Sequence, residues 1–328
     1  MKYVETGGVR VSAIGLGCWQ FGSRDWGYGS QYAQRTAVDL VHGALDLGVN
    51  LIDTAEVYAH GVSETIVGRA LEGRRDEAFV ATKVLPVWPT ASRVEEHGRL
   101  SALRLGVDVI DLYQVHWPNP VVSLASQMEG MRRLIDAGTV RNAGVSNFSV
   151  KRWEQAETHL GRPVLSNQVQ FSLLASKPAA TCVPFAQERG RLVIAYSPIA
   201  KGLLGGRYGP DNLPTSSARR MDPLWLPENV RRAMPVIETV RRIADAHSAT
   251  PAQVALAWLI HHPNTVAIPG ASSVEQLRRN AEAGDLELKD GEIEELDAEA
   301  ARFEPISKPA TARELVRVAR RGSGASDN

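Results

Sequence analysis

"VIDLYQVHWPNPVVSLASQMEGMRRLIDAGTVRNAGVS", residues 109–146, holds in one stretch the unit from which the fold is read. It opens on a short, mainly apolar run, Val109 to Trp117, of strand length. A proline-containing loop follows. From Leu124 the apolar side chains recur at helical spacing, and the pattern stops at Gly138, a residue suited to a left-handed helix C-cap. Val140 to Ser146 is a second strand. Strand, helix, strand in that order requires a crossover connection and parallel pairing, with right-handed chirality.

The same unit recurs on both sides. "AIGLGCW" (13–19), "NLIDTA" (50–55), "FVATKV" (79–84), "LSNQVQF" (165–171), "LVIAYSPI" (192–199) and "TVAIPGA" (265–271) are further strand candidates. Helical patterns between them include "RTAVDLVHGALDLG", "SETIVGRALEG", "SRVEEHGRLSALRLG" and "SVEQLRRNAEAG". Ser63 with Glu64, and Thr250 with Pro251, read as helix starts. About eight such units point to a closed (β/α)8 barrel, with an open doubly wound sheet as the alternative. The opening "YVETGGVRVSAIG" predicts a hairpin turning at Gly7-Gly8. No composition break marks a second domain, so one barrel is expected over residues 1–315, with a disordered tail over 316–328. The long irregular stretch 201–227, after the seventh strand, is expected to be functional.

Composition narrows the function. The chain has 328 residues with 37 basic and 37 acidic side chains. That balance gives no general reason to expect nucleic acid or an anionic membrane as a partner. No apolar run approaches a membrane span, and the polar N-terminus lacks a signal-like core. Two widely spaced cysteines, Cys18 and Cys182, form neither a disulfide framework nor a metal motif. A cytoplasmic protein with no metal site is expected; the oligomeric state is not legible.

In a barrel, residues just past each strand's C-terminal end face one pocket. Those positions carry Asp53 and Tyr58, then Lys83, then His116, then Ser146 and Asn147, then Gln168, then Tyr196 and Ser197. A phenol has a pKa of about 10 and is a weak acid at neutral pH. A nearby ammonium favours the phenolate, and a carboxylate supplies the partner that a buried ammonium needs. Asp53, Lys83 and Tyr58 could thus make Tyr58 a usable proton donor, with His116 adding a hydrogen bond to the oxygen that receives the proton. A carbonyl oxygen gaining electrons from a hydride needs both services.

These strand ends resemble the aldo-keto reductases. The matching stretches are "DTAEVY", "ATK", "LYQVHW", "GVSNF", "NQVQF", "AYSPIAKGLL" and "IPGASSVEQLRRN", running in the family's order from about residue 10 to about residue 285. The resemblance implies a (β/α)8 barrel that reduces aldehydes and ketones, reversibly, with a nicotinamide cofactor. It implies a tetrad of Asp53, Tyr58, Lys83 and His116, with Tyr58 as general acid. It places Ser146, Asn147 and Gln168 on the nicotinamide carboxamide and Tyr196 against the ring. The turn Ser197, Pro198, Ile199, Gly202, Leu203 would wrap the pyrophosphate. Gly270, Ala271 and Ser272 would meet phosphate or ribose at a helix N-terminus, followed by Gln276 and Asn280.

The sequence departs from the family where a 2′-phosphate is usually held. Ala271 and Ser272 occupy the turn and Gln276 stands where an Arg is frequent, with Arg278 and Arg279 close by. NADP(H) is favoured by the resemblance, with NAD(H) or dual use as the alternative. Trp19, Trp88 and Trp117 are the expected walls of an apolar substrate pocket, with ordinary packing as the alternative for Trp88 and likewise for Trp26. "GLGCWQFG" only imitates a GxGxxG fingerprint, because Gln20 takes the place of the third glycine. Two other functions remain. A cofactor-binding regulatory subunit with little turnover is one, since the chain also resembles potassium-channel β subunits. The other is Schiff-base chemistry on Lys83, against which the neighbouring Asp53 argues.

Overall fold

The structure, a computed structural model, describes residues 1–23, 31–85, 87–214, 219 and 222–306. Trp26 and the tail 316–328 lie outside the described residues. The chain opens on an antiparallel hairpin, β1 (Tyr3–Thr6) and β2 (Val9–Ser12). Its turn uses Gly7 and Gly8, both at positive φ, where a side chain would be strained.

Eight parallel strands then follow in sequence order: β3 (Leu16–Gly17), β4 (Leu51–Asp53), β5 (Phe79–Val84), β6 (Ile110–Val115), β7 (Val140–Ser146), β8 (Val164–Gln170), β9 (Leu192–Tyr196) and β10 (Thr265–Ala267). Each pairs with its successor. The two ends of the sheet meet: Ile14 bridges Ala267 in parallel. Gly15 N–H donates to Ala267 O at 2.7 Å, and Gly17 N–H to Pro269 O at 3.1 Å. This seam closes the barrel. It depends on glycine, because a Cβ on Gly17 would stand 2.7 Å from the backbone oxygen of Ile268.

The crossover helices are α1 (Gln31–Asp46), α2 (Val62–Ala70), α3 (Ala91–Leu105), α4 (Leu124–Asp136), α5 (Val150–Leu160), the short α6 (Lys177–Ala180) with α7 (Cys182–Arg189), α8 (Pro227–Ala246), α9 (Pro251–His261) and α10 (Val274–Glu282). A further helix, α11 (Asp290–Arg302), follows. Left-handed glycines stop α3 at Gly106 and α5 at Gly161. Thr250 starts α9 in a capping box with Gln253. The expected start at Ser63 is corrected. The N-cap of α2 is Gly61, and Ser63 is fully buried, its hydroxyl bonded to Thr54 Oγ1 and to Cys18 O. Ser63 is the second residue inside the helix, and its hydroxyl is directed to the strand exits of Cys18 and Thr54 rather than to the first helical N–H groups.

The core has two layers. Inside the barrel, Val11, Leu51, Phe79, Ala81, Leu112, Leu165, Leu192, Ile194, Val266 and Ile268 pack together, with Val4 and Val9 of the hairpin against them. The hairpin therefore plugs the N-terminal end. The larger layer lies between sheet and helices. What remains open is the C-terminal end. Among the described residues, no helix is long and apolar enough to cross a membrane.

Candidate active site

Strand alternation loads the open end with polar groups. Along β4, Leu51 and Asp53 point inwards while Ile52 faces the helices; along β5, Phe79, Ala81 and Lys83 point inwards while Val80 and Val84 face out. Two residues beyond the apolar floor, each of these strands thus offers a charged side chain on the same face. Lys83 Nζ lies 2.6 Å from Asp53 Oδ1, both side chains essentially inaccessible. It also donates to Thr54 O at 2.8 Å and to Tyr58 Oη at 3.3 Å. Gln168 Nε2 donates to the other Asp53 oxygen at 2.7 Å. An ion pair this deep needs every partner: deleting one side of such a pair typically costs about 3–5 kcal/mol.

Tyr58 sits on a tight turn. Ala59 and His60 adopt left-handed backbone, φ 48° and 55°, and Gly61 follows at φ 88°. A non-glycine residue held there costs roughly 1–2 kcal/mol. The His116 ring meets Tyr58 edge-on, with centroids 5.9 Å apart, and stacks on Trp117 at 5.7 Å. On the far side, Ser146 Oγ donates to Gln168 O at 2.9 Å, Asn147 Nδ2 to Ser146 Oγ at 3.0 Å, and Tyr196 Oη to Asn147 Oδ1 at 3.0 Å.

Burial governs the proton affinities. It opposes the charge on Lys83, but the Asp53 carboxylate and Tyr58 outweigh it, so the amine is held above its ordinary value. A permanently protonated amine is a poor Schiff-base nucleophile, which disfavours imine chemistry at Lys83. His116 is pushed down to about 3 by burial and then by the Lys83 charge, so its imidazole is neutral. Its Nδ1 is buried and has no hydrogen-bond partner among the described residues. Tyr58 differs from expectation: burial lifts it above the usual phenol value, and Lys83 only partly pulls it back against the Asp53 charge. Tyr196 is pushed up to about 12, by burial first and then by Tyr58 and Asp222. Cys18 is buried beside this group and its thiol lies well above the usual value, again through burial first. It is an inert thiol.

A cleft of about 1490 Å³ runs across this end of the barrel. It gathers Asp53, Tyr58, His116, Ser146, Asn147, Gln168, Tyr196, Ser197, Pro198, Ile199, Gly202, Gly270, Ala271, Ser272, Gln276 and Asn280, together with Trp19 and Trp117. Lys83 reaches it from beneath, through Tyr58 and Asp53. Two expected residues stand apart from the lining. Leu203 is fully buried in the outer core layer. Trp88 is 59 % exposed on a loop at φ 51° and is not part of the cleft wall.

The cleft also uses residues that were not among the expected site residues. Gln20 donates to Ala271 O at 2.9 Å, joining the exit of β3 to the turn before α10. The approach is close: a Cβ on Gly270 would stand 2.6 Å from the Gln20 amide, so a side chain there would make Gln20 shift. Lys201 pairs with Asp222, and Arg219 donates to Lys201 O at 3.0 Å, folding the long loop after β9 back on itself. Lys201, Arg207, Arg219 and Arg279 all line the cleft, and Arg278 does not. The first three lie in the irregular stretch already expected to be functional, but no periodicity says which of its cations turn inwards. At the turn before α10, Ser272 N–H and Oγ both donate to Gln276 Oε1, at 2.9 and 3.0 Å.

A sequence model described as the Aldo/keto reductase family matches residues 13–301. The chain is 51 % identical over 318 residues to an uncharacterised oxidoreductase of Mycobacterium tuberculosis (strain ATCC 25618 / H37Rv), covering 97 % of this chain and 98 % of that one. It is 32 % identical to an aldo-keto reductase of Bacillus subtilis (strain 168), over 84 % of this chain and 86 % of the relative. A solved aldo/keto reductase from Klebsiella pneumoniae, in complex with NADP and acetate, superposes with a TM-score of 0.74 at 30 % identity, covering 94 % of this chain and 97 % of that chain.

Proposed function

The chain belongs to the aldo/keto reductase family of oxidoreductases, and from that premise we propose that it reduces aldehydes or ketones to alcohols, reversibly, with NADP(H) as its cofactor and Tyr58 as general acid. The observation that carries this is the buried chain Asp53–Lys83–Tyr58 opening into a cleft beside a neutral His116. The Klebsiella relative is known with NADP bound, and the cleft here fits such a group. Ser146, Asn147 and Gln168 offer both donors and acceptors, as a carboxamide requires. Tyr196 presents an aromatic face beside them. Lys201, Arg207, Arg219 and Arg279 supply positive charge suited to phosphates. Arg279, which pairs with Glu275 at 3.0 Å on the exposed face of α10, is a cation near the turn where the usual basic residues are missing.

When bound, the cofactor supplies or accepts the hydride. The protein's own residues handle the proton. Neutral His116 has a ring nitrogen available to donate to the carbonyl oxygen, which orients it and favours negative charge there. Tyr58 gives its proton to that oxygen, and the Lys83 ammonium stabilises the phenolate left behind. Asp53, itself held by Gln168, keeps the ammonium in place. Because burial holds Tyr58 protonated, it remains a proton source across the neutral and mildly alkaline range.

Tyr58→Phe should lower turnover by about 100-fold or more while leaving cofactor affinity nearly intact. Steady-state rates with a carbonyl panel, alongside quenching of tryptophan fluorescence by NADPH and NADH, test this. Full activity in the variant would remove Tyr58 from the mechanism, and tighter binding of NADH would overturn the cofactor assignment. Trp19 and Trp117 are proposed as walls for an apolar part of the substrate. The barrel with its hairpin is proposed as one functional unit. Two buried free cysteines suit a reducing, cytoplasmic setting.

A further inference from the structure

We propose that Glu56 is a positioning residue for the proton donor, acting through a clamp that fixes the Tyr58 turn to the strand carrying Lys83; this rests on the carbonyl-reductase reading above. Glu56 stands two residues before Tyr58, and its carboxylate is almost wholly buried. One oxygen accepts the backbone N–H of Leu85, two residues beyond Lys83 on the exit of β5. The other accepts from His97 Nδ1 at 2.8 Å and faces the Arg104 guanidinium at 3.6 Å. Glu56 N–H in turn donates to Lys83 O at 3.4 Å. The side chain and backbone of one residue thus tie the donor's loop to the strand of its partner.

The clamp continues into α3. His97 and Arg104 are seven residues apart and so share one face of that helix. Arg104 Nε also reaches the fully buried Glu64 at 2.5 Å, and Glu64 accepts from Thr82 Oγ1 at 2.6 Å, on β5 beside Lys83. The Arg104 side chain lies directly across the Tyr58 turn: a Cβ on Gly61 would come within 2.7 Å of its Cδ. Three consecutive left-handed residues, Ala59 to Gly61, form a turn that persists only if its surroundings over-determine it. Glu56, His97, Arg104 and Glu64 are those surroundings. None of the four side chains is bonded to the side chains of the Lys83–Asp53 pair, and none lines the cleft, so their contribution is to where Tyr58 stands, not to the reaction itself.

The test compares Glu56→Ala and Glu56→Gln in the full-length protein. Gln keeps an oxygen for Leu85 N–H, whereas Ala removes the clamp. For Glu56→Ala, kcat should fall on the order of 10- to 100-fold, as displacement of a catalytic group does, with cofactor affinity by fluorescence unchanged. Amide hydrogen exchange should rise in residues 54–61 and at Leu85 but not across the barrel. Glu56→Gln should recover most of both. Unchanged kcat and unchanged exchange in Glu56→Ala would overturn the proposal. So would a loss of kcat that tracks a general loss of cofactor binding and thermal stability, since that is a folding defect. If the wild-type protein reduces no carbonyl, the functional reading fails, and the exchange data still decide whether Glu56 orders the Tyr58 turn.

Discussion

His116 is folded as a neutral imidazole, and that has a consequence for stability. In the unfolded chain a histidine takes a proton below about pH 6.5; in the fold this one resists protonation down to about 3. Between those values the unfolded state binds the extra proton, so acid favours unfolding. The stability linked to this residue is complete above pH 6.5 and declines as pH falls towards 3, by at most about 1.4 kcal/mol per pH unit. His116→Gln should therefore lose less stability than the wild type between pH 6 and pH 4, measured as the difference between their urea midpoints. Parallel curves would mean that the imidazole is not held neutral. The residue scale is also where reading from sequence meets its limit. Asp53 and Lys83 could be assembled from strand ends alone, because strand alternation fixes which side of the barrel each faces, and Tyr58 follows on the loop that leaves β4. The direction of the Tyr58 shift could not. Charge partners are visible in a sequence, whereas burial depends on everything packed around the group, and here burial wins. Glu56, His97 and Arg104 escape for a related reason: they come from two segments some forty residues apart, and nothing in either says that they meet.

Among the elements, the strands and crossover helices were legible because each repeats a pattern with its own period and stop. "FVATKV" coincides with β5 to the residue. The start of α2 was misplaced because Ser63 and Glu64 have the composition of a cap yet are buried for tertiary reasons. Trp88 was placed by its distance from a strand end, which says nothing about the direction a loop takes afterwards. The seam is a sparse pairing, with a single bridge between Ile14 and Ala267 and only three residues in β10. Its closeness requires bare glycine at position 17. Gly17→Ala should force backbone apart and destabilise the protein by about 1–3 kcal/mol, read from chemical denaturation, and should weaken cofactor binding because Gly17 and Gly270 line the same cleft. A variant as stable as the wild type would show that the seam can yield without loss.

At the scale of the molecule, the two ends of the barrel are chemically unlike. One is filled by apolar side chains and sealed by the hairpin; the other carries the Asp53–Lys83 pair beneath an open cleft. The floor is thus a permanent electrical insulator, and water can screen the pair only from above. Whatever fills the cleft removes that screening and strengthens every charge interaction beneath it. Filling the cleft would therefore raise reactivity through the dielectric even if the chain did not move. Carbonyl compounds of equal intrinsic reactivity should then differ in kcat according to how much of the cleft they dry, small ones turning over more slowly than bulky apolar ones. A series in which kcat ignores ligand size would show that water in the cleft above does not screen the buried Lys83 charge.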